Sequence, residues 1–428
     1  MLVKKFVPCI YLYNGHAVRR LTDLSVVETD PLRLVNLYNE NGADGLVVFD
    51  MSQEDSEHEE ALDIIKEICA TAEMEVTGAG NIKRLEDVKK LLYAGCRRAV
   101  LDCAKESNIA LTREASQRFG RDKLLASCDN VDIIARNRGL LEDCVSGLLL
   151  QNPHQIRETQ AAVQLPFLVE VNQIALNKLM EIFAYENVCG VTGNTINDNY
   201  RDILALKGLC KENGILVETF EAALQWDDFQ KNPEGLLPVI VQDYRTGEVL
   251  MMAYMNEEAY GQTIRTGRMT YYSRSRRQLW LKGETSGHFQ YLKSLAADCD
   301  KDTLLARVSQ VGAACHTGSR SCFFNEIVKK QGEETANPLQ VFEEVFDVIK
   351  DRKLHPKEGS YTNYLFDKGI DKILKKLGEE ATEIVIAAKN PGANEVKYEI
   401  SDFLYHMMVL MAEKDISWEE IITELANR

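Results

Sequence analysis

Short apolar runs alternate with amphipathic stretches from the first residue to about residue 220. The runs cover residues 46–50, 98–103, 147–150, 167–171 and 189–192, and the helix-like segments between them include residues 31–39, 57–72 and 85–93. The helical segments tend to stop at a glycine, as at Gly42 and Gly95. About eight strand–helix units fit into this stretch. The pattern therefore predicts an N-terminal α/β domain over residues 1–222, folded as a (β/α)8 barrel.

The apolar pattern becomes strand-like from about residue 223. Residues 239–242 and 249–254 predict two paired strands, and residues 269–273 and 278–282 predict a further hairpin. We therefore expect a strand-rich α+β domain over residues 223–328.

The last part of the chain follows a helical period throughout. Helices are predicted at residues 341–350, 370–389, 393–413 and 418–427, with short breaks between them. We expect an all-α domain over residues 336–428, and the polar segment 329–337 is the predicted linker before it.

The net charge, the apolar runs and the cysteine content limit the classes of function that this chain could have. The chain has 428 residues and a net charge of −16, which argues against a nucleic-acid partner but not against phosphorylated small molecules. No apolar run reaches the roughly 18 residues that would suggest a membrane span. The N-terminal apolar stretch is broken by Pro8, Asn14 and Gly15, which favours a first strand over a signal peptide. Eleven scattered cysteines predict reduced thiols in the cytoplasm.

The middle domain concentrates residues that bind metals. Asp298, Asp300 and Asp302 alternate around Cys299, and Cys315 and Cys322 follow closely. Thiolates suit zinc and carboxylates suit magnesium, and three protein ligands would leave one zinc position open for water. In an extended segment the aspartates would share one face and Cys299 the other, so two metals could lie on opposite sides of one strand. The alternative is a set of buried free thiols beside a solvated acidic turn.

Residues that could bind a phosphorylated substrate precede this cluster. The segments YYSRSR and LWLKGETSGH supply cations, hydroxyl groups and flexible glycines, which together suggest a phosphate-binding surface. The candidate substrate-binding residues are Arg274, Ser275, Lys282, Glu284 and Ser286.

The middle domain resembles phosphoribosyl-AMP cyclohydrolase, an enzyme of histidine biosynthesis. The resemblance rests on the ordered motifs GLLPVIVQD, YYSRSR, LWLKGETSGH, DCDKD and CHTGSRSCF. It implies that the three aspartates bind magnesium, that the three cysteines bind zinc, and that the site forms across a homodimer interface. The implied reaction is attack of zinc-activated water on C6 of an N1-substituted adenine, which opens the N1–C6 bond. His316 and His288 are candidates for proton transfer, although either could instead make a structural hydrogen bond.

Two pairs of acidic residues mark the helical domain. Glu380 and Glu383, and likewise Glu399 and Asp402, are spaced i, i+3, so each pair shares a helix face. Two such helices packed against each other would bring four carboxylates around a hard cation. Acidic helix faces are commonly just solvated, but apolar neighbours such as Val385 predict that these carboxylates lie near a buried surface.

The helical domain resembles phosphoribosyl-ATP pyrophosphohydrolase, through the segment KILKKLGEE and an ExxE…ExxD signature. The resemblance implies that the four carboxylates hold magnesium on a triphosphate, from which water releases pyrophosphate. Lys372, Lys375 and Lys376 are candidates for phosphate contacts, and a solvated basic face is the alternative for each. The implied product is the substrate of the cyclohydrolase, so the two resemblances support each other.

Residues 1–220 resemble the cyclase-subunit barrel of imidazole glycerol phosphate synthase and its isomerase relative. The matching segments include Pro8-Cys9-Ile10 and residues 78–82. Tyr11 stands where those enzymes carry an acidic catalytic residue, Asp129 would lack its partner, and VNQI at residues 171–174 replaces a glycine-rich phosphate loop. We therefore expect a degenerate barrel without the ancestral catalysis, and a retained phosphate site near residues 78–82 is the alternative.

Together these features predict a cytoplasmic, zinc- and magnesium-dependent bifunctional hydrolase of histidine biosynthesis. It would convert phosphoribosyl-ATP to phosphoribosyl-AMP and then to the ring-opened product ProFAR, as a homodimer acting on small-molecule nucleotides. Two alternatives stay open, a broad nucleotide pyrophosphohydrolase and a zinc-stabilised regulatory protein without catalysis.

Overall fold

The structure is a computed structural model that describes residues 2–20, 22–325, 327–328 and 340–426. The chain divides into two compact units, Met1–Glu326 and Ile327–Arg428. The predicted linker at residues 329–337 lies outside the described residues. Among the described residues, no helix combines the length and the apolar character that crossing a membrane would require.

The first unit begins with an eleven-stranded sheet in the order β1-β11-β10-β9-β8-β7-β6-β5-β2-β3-β4. Its strands are β1 (Lys5–Phe6), β2 (Cys9–Tyr13), β3 (His16–Arg20), β4 (Asp23–Glu28), β5 (Leu46–Asp50), β6 (Val76–Ala79), β7 (Arg98–Asp102), β8 (Leu124–Cys128), β9 (Leu148–Leu150), β10 (Phe167–Glu170) and β11 (Val188–Thr192). The helices between and after these strands are α1 (Pro31–Glu40), α2 (Asp55–Thr71), α3 (Leu85–Tyr93), α4 (Glu106–Phe119), α5 (Val131–Arg136), α6 (Arg138–Cys144), α7 (Ile156–Ala162), α8 (Lys178–Phe183), α9 (Asn194–Asp198) and α10 (Ile203–Glu212).

The parallel part of this sheet curls so far that its two edge strands, β1 and β2, follow each other directly in the chain. β1 pairs with β11 and β2 pairs with β5, all in parallel, and only Val7 and Pro8 separate β1 from β2. β1 and β2 therefore act as one strand, and with β5 to β11 they complete the predicted (β/α)8 architecture. The antiparallel strands β3 and β4 extend from β2 as an addition to this barrel.

The parallel strands are continuous apolar runs because a hydrophobic core lies on each face of the sheet. Along β5, Val48 packs outward against the helices, whereas Val47 and Phe49 belong to a second cluster inside the barrel. Tyr11 also belongs to the inner cluster, and its ring stacks on Phe49 at 4.8 Å with an interplanar angle of 15°. Strands covered on both faces need apolar residues on both. Side chains therefore fill the barrel interior at the level of Tyr11 and Phe49.

The rest of the first unit is the predicted strand-rich region. It contains β12 (Leu237–Asp243), β13 (Val249–Met255), α11 (Glu257–Thr266), β14 (Thr270–Ser273), β15 (Gln278–Leu281), β16 (Gln290–Ala297) and β17 (Leu304–Gln310). The main sheet has the order β13-β12-β17-β16, in which β12 and β17 run parallel, and β14 and β15 form a separate hairpin. Both predicted strand pairs are confirmed.

Polar contacts join the barrel to this sheet. Glu73 accepts hydrogen bonds from Lys293 Nζ and from the Tyr244 hydroxyl, each at 2.8 Å, and Arg268 Nη2 donates to Asn41 Oδ1 at 2.8 Å. The predicted boundary between residues 222 and 223 stays a prediction, because barrel and sheet form one compact unit.

The second unit is helical, as predicted. Its helices are α12 (Gln340–Leu354), α13 (Tyr361–Lys368), α14 (Ile370–Ala387), α15 (Asn394–Glu413) and α16 (Trp418–Ala426). Helix α13 was not among the predicted segments; it begins at the Ser360 side-chain cap and ends at Gly369. Phe346, Leu365, Ile373 and Val409 form part of the core.

The close approach of Gly80 to Asp50 generates a first prediction. Gly80 has φ +85°, and a Cβ built on it would lie 2.1 Å from the backbone oxygen of Asp50. We expect Gly80→Ala to lower the free energy of unfolding of the first unit by more than about 2 kcal/mol. Gly214→Ala is the control, because Gly214 has φ +73° but no neighbouring atom within 4 Å, so only the backbone strain of about 1 kcal/mol should apply. Equal losses for both variants in denaturant unfolding would contradict this account.

Candidate active sites

The three aspartates of the middle region lie in the turn between β16 and β17. Asp298 Oδ1 accepts hydrogen bonds from the backbone N–H groups of Asp302 at 3.1 Å and Thr303 at 3.2 Å. Lys301 takes a positive φ of 61°. The expectation of an extended segment with metals on opposite faces of one strand is therefore wrong, because the Asp298 side chain captures backbone donors and folds the segment into a turn.

The turn nevertheless gathers the predicted carboxylates. Oxygen atoms of Asp298, Asp300 and Asp302 all lie within 4.8 Å of one another, and the three side chains are exposed. Carboxylate oxygens at this spacing can converge on a hard divalent cation. Such a cluster of exposed acids also occurs without an ion, so the geometry is compatible with a cation site and does not require one.

Two of the three predicted zinc ligands are neighbours. The loop that carries Cys315 and Cys322 is fastened to the sheet, because Cys322 donates its backbone N–H to Leu250 at 2.7 Å. The Thr317 hydroxyl donates to Cys315 Sγ at 3.1 Å and is the main reason that the pKa of this thiol is lowered; Cys322 is a smaller contributor. Burial, and then the neighbouring Cys315, raise the pKa of Cys322. The Cys315 thiol therefore ionises more readily than the Cys322 thiol beside it.

Cys299 is separate from this pair. It is exposed in the aspartate turn, and among the described residues it does not form a three-ligand cluster with Cys315 and Cys322. One chain therefore assembles two of the three predicted zinc ligands.

Lys282 and His316 accompany the thiol pair. Lys282 is buried at the end of β15, and burial lowers the pKa of its ammonium group, while the nearby thiols of Cys322 and Cys315 act in the opposite direction. His316 Nδ1 lies 4.0 Å from Cys315 Sγ. A cation and an imidazole therefore lie where proton transfer near the thiols is feasible.

The other predicted residues of this region lie around the β14–β15 hairpin and the loop after it. The Arg274 guanidinium lies over the Tyr254 ring at 4.0 Å, and Ser275 Oγ is 3.4 Å from Ser273 Oγ. Glu284 and Ser286 are exposed, and Ser286 Oγ accepts the backbone N–H of His288 at 3.2 Å. The His288 ring packs against Gly312, where a Cβ would come within 2.7 Å of the ring.

The second cluster of carboxylates lies between α14 and α15. Oxygen atoms of Glu380, Glu383 and Glu399 lie within 4.8 Å of one another. Asp402 is not part of this trio, but its charge contributes to a raised pKa of Glu399, whose larger causes are burial and the neighbouring Glu383. Burial and neighbouring like charges both favour the protonated form of a carboxyl group.

Glu380 is held by two basic side chains. Lys376 Nζ lies 3.4 Å from Glu380 Oε1, and His406 Nδ1 lies 3.7 Å from the same oxygen. The Nδ1 atom of His406 is also 2.8 Å from the backbone oxygen of Asp402, so it carries the proton, and Nε2 can accept from the Tyr361 hydroxyl at 3.2 Å.

The buried surface expected near the acidic residues is present only in part. Glu380 is buried, Glu399 and Asp402 are half-buried and Glu383 is exposed, while Val385 and the adjacent Ile386 are 63% and 60% exposed. Within one chain, α14 presents this apolar surface to solvent.

Sequence reasoning missed His406 and Tyr361 as site residues. The available signal was that His406 follows Asp402 by four residues on the same helix face. Of the predicted lysines, Lys376 reaches the acidic cluster, Lys375 pairs with Glu379 at 3.5 Å, and Lys372 lies over the Tyr364 ring instead.

At the end of the barrel where the parallel strands terminate, a group of hydrogen-bonded side chains surrounds one carboxylate. The buried Tyr11 hydroxyl donates to Glu170 Oε1 at 3.1 Å, and Asn172 Nδ2 donates to the same oxygen at 2.8 Å. Burial is the main cause of a raised pKa of Tyr11. Glu170 at the end of β10 was not predicted, and the loss of ancestral catalysis in the barrel stays a prediction.

Three family models match the chain. Phosphoribosyl-AMP cyclohydrolase matches residues 251–324, phosphoribosyl-ATP pyrophosphohydrolase matches residues 342–428, and a model described as histidine biosynthesis protein matches residues 5–152. The first match contains the thiol and aspartate clusters, and the second contains the acidic helix pair.

Curated relatives are similar over about half of the chain. The bifunctional histidine biosynthesis protein HisIE of Thermoanaerobacter pseudethanolicus is 52% identical over 220 residues, which is 49% of this chain and 100% of that protein. HisIE of Lactococcus lactis is 53% identical over 201 residues, covering 47% of this chain and 91% of the relative. HisIE of Bacillus subtilis is 47% identical, covering 48% and 96%.

The raised pKa of Glu399 generates a prediction for the metal-free protein. Because the folded state disfavours ionised Glu399, stability is lost as pH rises through the folded pKa and is regained below the unfolded pKa. Glu383→Gln removes one neighbouring charge, so we expect a higher thermal midpoint of the second unit at pH 7 with chelator present. The gain should shrink towards pH 4, where Glu399 is protonated anyway.

Differential scanning calorimetry provides the measurement. Glu344→Gln, an exposed substitution on α12 outside the cluster, is the control and should leave the midpoint nearly unchanged. A midpoint that falls in Glu383→Gln, or a gain that does not depend on pH, would show that charge repulsion does not act here.

Proposed function

The chain belongs to the HisIE family of bifunctional histidine-biosynthesis proteins, and we propose that it carries out two consecutive hydrolyses at two different metal centres. Its activities are those of a phosphoribosyl-ATP pyrophosphohydrolase and a phosphoribosyl-AMP cyclohydrolase. The observation that carries the proposal is that each family match coincides with one cluster of candidate metal ligands. The alternative of a zinc-stabilised protein without catalysis loses its support.

We propose that the second unit binds magnesium through Glu380, Glu383, Glu399 and Asp402. The donor set is oxygen only, which suits this cation, and a divalent charge would favour the ionised form of Glu399, whose pKa is raised by burial and then by the neighbouring Glu383. Magnesium, when bound, would neutralise phosphate charge during release of pyrophosphate. Lys376, held beside Glu380, would bind a phosphate oxygen of the substrate.

We propose zinc and magnesium for the cyclohydrolase region as well. The three thiols Cys299, Cys315 and Cys322 suit zinc, and the lowered pKa of Cys315 supports it as the ligand that ionises first. Asp298, Asp300 and Asp302 suit magnesium. Zinc, when bound, would lower the pKa of a water molecule to about 7. His316 would transfer a proton beside the thiols, Lys282 would hold an anionic group of the substrate, and the proposed product is ProFAR.

Arg274, Ser275, Glu284, Ser286 and His288 are proposed to contact the phosphoribosyl-AMP substrate. They lie on or after the β14–β15 hairpin, the same element that ends in Lys282. Their hydroxyl groups and charges suit phosphate and ribose recognition.

A second copy of the chain would complete the zinc site. We propose a homodimer in which Cys299 of one subunit joins Cys315 and Cys322 of the other. Support comes from apolar side chains exposed close to the thiol pair, since Phe323 and Phe324, which follow Cys322 directly, are 64% and 54% exposed. Exposed aromatic clusters are typical of surfaces that pair with another protein.

We also propose that the protein acts in the cytoplasm. All eleven cysteines are free thiols, which suits a reducing compartment.

Separate sites predict that each step can be removed alone. In Cys315→Ser the cyclohydrolase would lose a zinc ligand, so phosphoribosyl-ATP should yield pyrophosphate at the normal rate while phosphoribosyl-AMP accumulates. In Glu380→Gln pyrophosphate release should fall at least about 100-fold, while added phosphoribosyl-AMP is still opened. Both rates are measured on folded protein, as checked by circular dichroism. Loss of both activities in either single variant would contradict two independent sites.

A shared zinc site predicts complementation between inactive subunits. Cys299→Ser and Cys322→Ser should each lack cyclohydrolase activity. After the two variants are mixed and reassociated, a heterodimer would contain one intact site, so about a quarter of wild-type activity should return. The control is Cys315→Ser mixed with Cys322→Ser, which can form no intact site and should stay inactive. No recovery in the first mixture, with heterodimers demonstrated by mass spectrometry, would place all three ligands in one subunit.

A further inference from the structure

Two exposed tyrosines lie side by side on α13 next to the acidic cluster. The Tyr361 and Tyr364 rings are 45% and 42% exposed, their centroids are 6.1 Å apart, and their planes differ by 24°. Their i, i+3 spacing places both rings on one face of the helix. Large aromatic rings left in water at a site are candidates for stacking against a planar ligand.

The position of Tyr361 is fixed from within the unit. Its hydroxyl reaches His406 Nε2 at 3.2 Å, and its ring stacks on Tyr405 at 6.4 Å. Tyr405 is itself held, because its hydroxyl lies 2.7 Å from Thr362 Oγ1. His406 contacts Glu380, so the tyrosine pair is connected to the acidic cluster through one imidazole.

Two lysines lie over the outer tyrosine. Lys368 Nζ and Lys372 Nζ are each 5.9 Å from the centroid of the Tyr364 ring. Unlike Lys375 and Lys376, neither of them forms an ion pair with a carboxylate within the described residues. Two cations without carboxylate partners, beside an aromatic pair that is linked to an acidic cluster, match a ligand with an anionic group at each end and a ring between them.

We propose that Tyr361, Tyr364, Lys368 and Lys372 form the subsite that distinguishes phosphoribosyl-ATP from ATP. This rests on the proposed function, in which the acidic cluster takes the triphosphate. The tyrosines stack on the purine, and the two lysines bind the phosphate of the ribose attached at N1, the group that ATP lacks. Lys372, expected to contact a phosphate, is thereby assigned to the ribose phosphate.

The test compares the two nucleotides on the full chain. Pyrophosphate release gives kcat and KM for phosphoribosyl-ATP, and ATP is measured as a competing ligand through its inhibition constant. Lys368→Gln should raise KM for phosphoribosyl-ATP about tenfold and leave the inhibition constant of ATP unchanged. Tyr364→Leu should weaken the binding of both nucleotides about tenfold, and Tyr364→Phe, which keeps the ring, should weaken it much less.

Lys350→Gln is the matched control. Lys350 also lies over an aromatic ring, with Nζ 4.9 Å from the Phe346 centroid, but on α12 rather than at the acidic cluster. Its loss should leave the selectivity unchanged, and thermal midpoints check that all variants are folded.

The possible outcomes distinguish an error in the proposed function from an error in the proposed subsite. Wild-type protein that releases no pyrophosphate from phosphoribosyl-ATP would refute the proposed function itself. Normal wild-type turnover, with Lys368→Gln changing both nucleotides equally or neither, would refute the subsite alone. Tyr364→Phe as weak as Tyr364→Leu would refute the stacking role, because it would assign the effect to the hydroxyl group.

Discussion

The constraint on which both candidate sites depend is the gathering of carboxylate oxygen atoms within 4.8 Å of one another. A divalent cation would compensate such a group of negative charges, and in the helical unit burial and then the neighbouring Glu383 raise the pKa of Glu399. The fold imposes the crowding by two different means. Helices α14 and α15 bring together acids from two consecutive helices, whereas the β16–β17 turn gathers acids that alternate along one short segment.

In the barrel, packing places apolar rings in the interior instead of bringing carboxylates together. The barrel interior contains the stacked rings of Tyr11 and Phe49, and Glu170, which ends β10, is hydrogen bonded to Tyr11 and Asn172. A hydrogen bond from Lys293 to Glu73 joins the barrel to the four-stranded sheet. Barrel and sheet belong to one compact unit, which contains the cyclohydrolase region. The HisIE relatives match only about half of the chain, so both activities of the family are accommodated in that half.

The features that could be predicted from sequence are those set by local or periodic constraints. Strand β5 was predicted with its observed bounds, because a strand buried on both faces is a continuous apolar run. The expected extended segment around Asp298 was wrong, because the Asp298 side chain accepts hydrogen bonds from the backbone and the segment forms a turn. The hydrogen bond between Tyr361 and His406 joins two helices, and no single-segment pattern contains it.

The central claim is that pyrophosphate release comes first and ring opening second, so that the chemistry runs from the C-terminal unit towards the middle of the chain. A quenched time course with wild-type protein, phosphoribosyl-ATP, magnesium and zinc tests it most directly. We expect phosphoribosyl-AMP to appear before ProFAR, and pyrophosphate to equal the sum of the two at every time. A ring-opened product that still carries the triphosphate would contradict the order and the account.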